Sequence, residues 1–116
     1  MYKTDGYNIM IPRGDSALIP FTFMYDYEEP EPFIFEAGQY MILSVFMDKN
    51  KEPYIQKRAN AEDQDPETGE IIISFTPEDT DITRYRYNYT IRLYNADKTE
   101  VDTWHGFPKP AFFDVT

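Results

Sequence analysis

Cysteine is absent from the 116-residue chain, which excludes disulfide frameworks, thiolate zinc sites and cysteine nucleophiles. Small exported domains commonly rely on disulfides, so the absence leans towards folding in a reducing cytoplasm. Histidine occurs once, as His105; a lone imidazole with no nucleophile-and-carboxylate set forms no triad, and a metal site needs further strong ligands. Glycine is scarce, with five residues and no phosphate-cradling glycine-rich loop. Long apolar runs are missing: Tyr40 to Met47 is broken by Ser44 and is far too short to span a bilayer. The opening Met1-Tyr2-Lys3-Thr4-Asp5-Gly6 lacks the apolar stretch of a signal peptide. Positive charge is also short, with 11 basic against 21 acidic residues and a net charge of −10. Such a chain repels a phosphate backbone, and the one basic cluster (Lys49, Lys51, Lys57, Arg58) is diluted by Asp48 and Glu52. Neither nucleic acid nor membrane is expected as a partner.

Apolar and aromatic mass is plentiful. Hydrophobic residues make up 41% of the chain and aromatics 17%, enough for a core despite 28% charge. The length suits a single domain, residues 1–116.

The periodicity is that of strands. From Tyr85 to Asn95, Tyr85, Tyr87, Tyr89, Ile91 and Leu93 fall on one face, and Arg84, Arg86, Asn88, Thr90 and Arg92 on the other. Ile71, Ile73 and Phe75 alternate with Ile72, Ser74 and Thr76; Ile19, Phe21, Phe23 and Tyr25 alternate with Pro20, Thr22 and Met24. Pro20 cannot donate to a ladder, which places its strand at an edge or a bulge. Tyr40–Met47, apolar on both faces, is expected to be a central strand buried on both sides. Weaker strands are expected at Tyr7–Ile11, Pro32–Phe35, Tyr54–Ala59, Glu100–Trp104 and Ala111–Val115, and one helical turn within Pro77–Thr83. Short strands with frequent turns predict an all-β, antiparallel, immunoglobulin-like sandwich of about 7–9 strands. In that fold a tyrosine near the start of the F strand hydrogen-bonds back over the preceding corner. Tyr85 is the expected corner residue, with Tyr87 filling the space that antibody domains give to cysteine; the alternative is that both are ordinary inward aromatics.

Few motifs carry chemistry. Arg13-Gly14-Asp15 spells the integrin-recognition tripeptide but also reads as a plain turn before a strand. Asp63, Asp65 and Glu67 are spaced like the start of a calcium loop, but the glycine comes one position late and Ser74 stands where a bidentate glutamate should close it. A solvated hairpin loop fits better. Acidic pairs (Glu28 and Glu29, Glu31 and Glu36, Asp79 and Asp81) sit in turns, as solvated carboxylates do, rather than as a glycosidase pair. No catalytic residue, cofactor or metal is expected. Charge is segregated into acidic runs at 26–36 and 62–70 and a basic run at 49–58. That pattern is either a solvated surface or a complementary contact between subunits.

Several segments, in order, resemble a family of phage virion proteins: the N-terminal domain of phage baseplate upper proteins and related small tail or neck proteins. They are Ile11-Pro12-Arg13-Gly14-Asp15-Ser16, Glu36-Ala37-Gly38-Gln39, Ile71-Ile72-Ile73-Ser74-Phe75-Thr76-Pro77-Glu78-Asp79-Thr80, the Tyr-x-Tyr strand Tyr85 to Leu93, Asn95 to Thr103, and Phe112-Phe113-Asp114-Val115-Thr116. The resemblance implies a non-enzymatic structural protein, made in the bacterial cytoplasm and built into a virion, with other phage structural proteins as partners and a possible homo-oligomer. It brings no catalytic residues. Larger relatives continue into further domains beyond the point matching Asp114-Val115-Thr116. The other function class left open is a carbohydrate- or surface-binding sandwich, which would need exposed aromatics such as Tyr54, Trp104 and Phe107 on one face.

Overall fold

The computed structural model describes residues 3–5, 8–22, 31–48, 51–105 and 111–116, with backbone alone for 3–5 and 101–105. Nine strands are present among them: β1 Lys3–Asp5, β2 Asn8–Ile11, β3 Ala17–Thr22, β4 Tyr40–Phe46, β5 Ile55–Asn60, β6 Glu70–Phe75, β7 Tyr85–Tyr94, β8 Glu100–His105 and β9 Ala111–Val115. A 3₁₀ turn, Ala61–Asp63, follows β5, and one α-turn, α1 Pro77–Thr80, follows β6.

The strands form two sheets. The larger runs β1-β2-β9-β7-β4-β5, and the smaller is the pair β3-β6. β8 and β9 share one side of β7: β9 pairs with residues 85–89 and β8 with 91–94. The chain crosses between sheets after β2, β3, β5 and β6, which is a Greek-key sandwich. Its large sheet follows the A′-G-F-C-C′ order and its small sheet the B-E pair of the immunoglobulin-like fold. One pair departs from the antiparallel expectation, because β2 and β9 run parallel. A parallel pair needs a long crossover, and here nearly the whole chain separates the two strands.

The alternation in the sequence becomes the core. Ile19 and Phe21 of β3, Ile71, Ile73 and Phe75 of β6, Met41, Leu43 and Val45 of β4, and Tyr87, Tyr89, Ile91 and Leu93 of β7 are all buried between the sheets. The Phe75 and Phe113 rings meet at 5.3 Å and join the layers. Truncating Phe113 to alanine would cost roughly 3–5 kcal/mol by transfer and cavity terms together.

Three local expectations are corrected. β4 is central in its sheet but is fully buried on one face only: on the other, Tyr40 is buried while Ile42, Ser44 and Phe46 are half-buried. Neighbouring long side chains, not a third layer, cover that face. Tyr40, for example, lies between the stacked Tyr94 ring at 5.2 Å and the Arg58 guanidinium at 3.8 Å. Pro32–Phe35 is no strand beyond a single bridge at Pro32, because the Phe35 amide and the Phe33 carbonyl bond to the Gln64 side chain instead of a ladder. The corner tyrosine is Tyr87 rather than Tyr85: its hydroxyl donates to the Thr83 carbonyl at 2.6 Å, whereas Tyr85 is 50% exposed. Both lie on the same strand face. β7 starts at Tyr85, at the rim, so only Tyr87 lies deep enough for its ring to be covered while its hydroxyl reaches back. Phe23, Tyr25 and the 26–30 acids lie outside the described residues.

Candidate functional site

β6 has one ladder partner among the described residues, β3, and β5 has one, β4. Their open edges border a groove of about 660 Å³, lined by Lys57, Arg58, Asp63, Asp65, Glu70 and Ile72 among others. The direction of the β6 main chain follows from two bonds. The Glu70 carbonyl accepts from the Asp65 amide at 2.9 Å, and the Glu70 amide donates to the Thr68 hydroxyl at 3.3 Å. Both lie outside the β3–β6 pair. In an antiparallel pair, residues alternate between bonding to the partner and pointing away from it. Ile72 and Ser74 therefore present N–H and C=O to the open edge, while Ile71, Ile73 and Phe75 bond to β3. Pro20 stands opposite Ile72, in a non-bonded pair, so its missing N–H costs the ladder nothing and β3 is an edge strand as its proline demands.

Gln64 fixes one end of the groove. It is buried; its Oε1 accepts from the Phe35 amide at 2.8 Å, and its Nε2 donates to the Phe33 and Gly69 carbonyls at 2.7 and 3.0 Å. Gly69 has φ +76°, and a Cβ there would lie 2.9 Å from the Pro32 Cβ. The loop therefore packs tightly against the 32–35 segment only because this position lacks a side chain.

Lys57 lies on the inward parity of β5, between buried Ile55 and Ala59. A cation there needs a partner, and Asp79 supplies it at 2.6 Å, each side chain 24% exposed. Asp79 also accepts from the Thr76 amide at 2.7 Å, while the Thr76 hydroxyl accepts from the Asp79 amide at 3.2 Å, closing a capping box on α1. Burial pushes the Asp79 carboxyl up, but the Lys57 and Thr76 hydrogen bonds outweigh it and hold the group below its ordinary range. Arg58 donates to the Asn60 side chain at 2.9 Å and lies over Tyr40. Two of the three described bases of the basic run, Lys57 and Arg58, are thus engaged within the chain and face the 62–70 acids across one groove, whereas Lys51 is exposed outside it.

The calcium candidates are brought near one another but are used separately. Asp63 accepts from the Asn60 amide at 2.8 Å, Asp65 accepts from the Glu67 amide at 2.8 Å, and Glu67 is exposed. Among the described residues no three His, Cys, Asp or Glu side chains are grouped to hold a metal ion. Asp81 is not paired with Asp79; it accepts from Arg13 at 3.0 Å. The Arg13-Gly14-Asp15 turn is docked on α1, with the Thr80 hydroxyl donating to the Asp15 carbonyl at 2.6 Å. The His105 and Trp104 side chains and Phe107 lie outside the described residues.

A second feature lies at the corner. Tyr54 and Tyr85, 55% and 50% exposed, pack edge-on against buried Tyr87 at 5.3 and 5.4 Å. Burial raises the Tyr87 hydroxyl above its ordinary range, with Tyr54 adding to the effect. Tyr54 is one of the aromatics that a binding face would need exposed, and it is exposed. The Gln64 staple, the Lys57–Asp79 pair and the open β6 edge were not legible in the sequence, because each depends on residues far apart in the chain. Among the described residues no helix is long and apolar enough to cross a membrane.

No family model matches the chain, and no match was found among curated proteins or solved structures.

Proposed function

We propose that the chain is a non-enzymatic assembly module that works through protein–protein contact, and that its setting is a phage virion, in the baseplate, tail or neck. The virion setting is supported by the ordered resemblance of segments from Ile11 to Thr116. The contact function rests on one observation: among the described residues the small sheet has two strands, and its outer face exposes Leu18 at 63% and Ile72 at 56%. These side chains stand on adjacent strands beside Pro20, and a contiguous apolar face rimmed by polar residues is what an interface needs. Nearby, Asp63, Asp65 and Asp79 accept from main-chain amides and Asp79 pairs with Lys57, which is structural work.

The engagement of Lys57 and Arg58 within the chain favours an apolar contact over a head-to-tail ionic one. Salt screens the repulsion between chains of charge −10, so association should strengthen as salt rises. Light scattering on a size-exclusion column, over a concentration series at low and high salt, tests this. A defined oligomer favoured by salt supports the reading. A 13.8 kDa species throughout opposes it.

The Tyr54–Tyr87–Tyr85 cluster favours a second reading, a carbohydrate- or surface-binding module, in which two exposed rings form the platform. A glycan array with no hits that depend on Tyr54 opposes it.

A further inference from the structure

The groove between β5 and β6 runs along a hydrogen-bonding edge that no described strand covers. We infer that it accepts an extended, lysine- or arginine-bearing segment of a partner protein, which adds to the small sheet alongside β6. The inference deepens the assembly reading and rests on it, but uses a different direction of β6: its main chain rather than its outward side chains.

Three observations converge. First, Ile72 and Ser74 turn their N–H and C=O groups to an edge that no described strand covers. An open row of main-chain donors and acceptors is a template for strand addition. Second, a groove of about 660 Å³ borders that edge, which gives an added strand an open approach to β6. Third, the charges select the occupant. Lys57 is neutralised by Asp79, and Arg58 is directed to Asn60 and Tyr40. Asp63, Asp65 and Glu70 line the same groove, and Asp63 and Asp65 accept from the neutral main-chain amides of Asn60, Glu67 and Thr68. With Lys57 cancelled by Asp79, the three carboxylates Asp63, Asp65 and Glu70 outnumber the single Arg58 guanidinium in the groove, so its net charge is negative and basic side chains at alternate positions of an added strand would meet it. A second copy of this chain fits poorly in the groove, because it would bring a further net charge of −10.

The test uses the full chain and a capped eight-residue peptide of alternating lysine and valine, with alternating glutamate and valine as the comparator. Amide hydrogen exchange and backbone chemical shifts are followed by NMR during titration. Binding of the lysine peptide should slow exchange at the Ile72 and Ser74 amides, and the glutamate peptide should not bind. Glu70→Lys, at the half-buried start of β6, should weaken the lysine peptide about fivefold, as loss and reversal of a screened ion pair would. The inference is overturned by any of three results: no binding at millimolar peptide, equal binding of the glutamate peptide, or binding that leaves the Ile72 and Ser74 amides unprotected. Self-association is read separately. An oligomer that ignores the peptide sinks this inference alone, whereas a monomer that binds it sinks only the self-assembly part of the proposed function.

Discussion

Replacing Gln64 with leucine keeps the side-chain volume nearly constant and removes every hydrogen bond that the amide makes. The Phe35 N–H and the Gly69 carbonyl are both buried at this contact, and leaving a buried polar group unsatisfied costs about 1–3 kcal/mol. The Phe33 carbonyl is only part-buried and can recruit water, so its loss adds little. Burying the leucine methyls returns about 1 kcal/mol. The expected net loss is about 3 kcal/mol, or roughly 12 °C in Tm for a domain of this size. Urea unfolding should show a lower midpoint at an unchanged slope. Gln64→Glu separates hydrogen bonding from shape. It retains an acceptor for Phe35 but sets a carboxylate against two carbonyls, which raises its folded-state pKa. Stability bound to a raised carboxyl pKa falls as pH rises, so this variant should recover relative to wild type between pH 7 and pH 4. A Gln64→Leu loss below about 1 kcal/mol, or a flat pH response of Gln64→Glu, would refute the staple.

Three further outcomes are expected. Tyr87→Phe should cost about 1 kcal/mol through the lost bond to Thr83, while Tyr85→Phe stays within about 0.5 kcal/mol; equal effects in thermal melts would remove the corner assignment. A Lys57→Met and Asp79→Asn double-mutant cycle should give a coupling of about 1 kcal/mol. Because the folded Asp79 pKa is lowered, that stabilisation is complete above the unfolded value of about 3.9 and lost as pH falls through the lower folded value; a coupling unchanged at acid pH would contradict it. Gly38 has φ +84°, and a Cβ there would lie 2.7 Å from the Ala96 Cβ. Gly38→Ala should therefore cost about 2 kcal/mol, and adding Ala96→Gly should recover the contact but not the backbone strain.

The two sheets were legible because burial imposes a period of two that the Tyr85–Tyr94 and Ile71–Phe75 stretches show in full. Pro20 announced an edge for the same local reason: its missing donor can be tolerated in few places. The tyrosine corner was read two residues early, since the alternation fixes which face a side chain takes but not how far along the strand the covering layer begins. Pro32–Phe35 misled because its apolar content answers to packing, while its hydrogen bonds go to Gln64, 29 and 31 residues away. The opposed charge runs were visible, but not their meeting across one groove, which depends on where β5 and β6 end in space.

The most direct test of the assembly account is sedimentation velocity on the wild type and on Leu18→Glu/Ile72→Glu. Both sites are exposed, so the variant should fold with an unchanged melting temperature. The account predicts that the wild type associates with rising concentration and that the variant remains a 13.8 kDa monomer. Association of equal strength in both proteins, or a monomer in both, would contradict it.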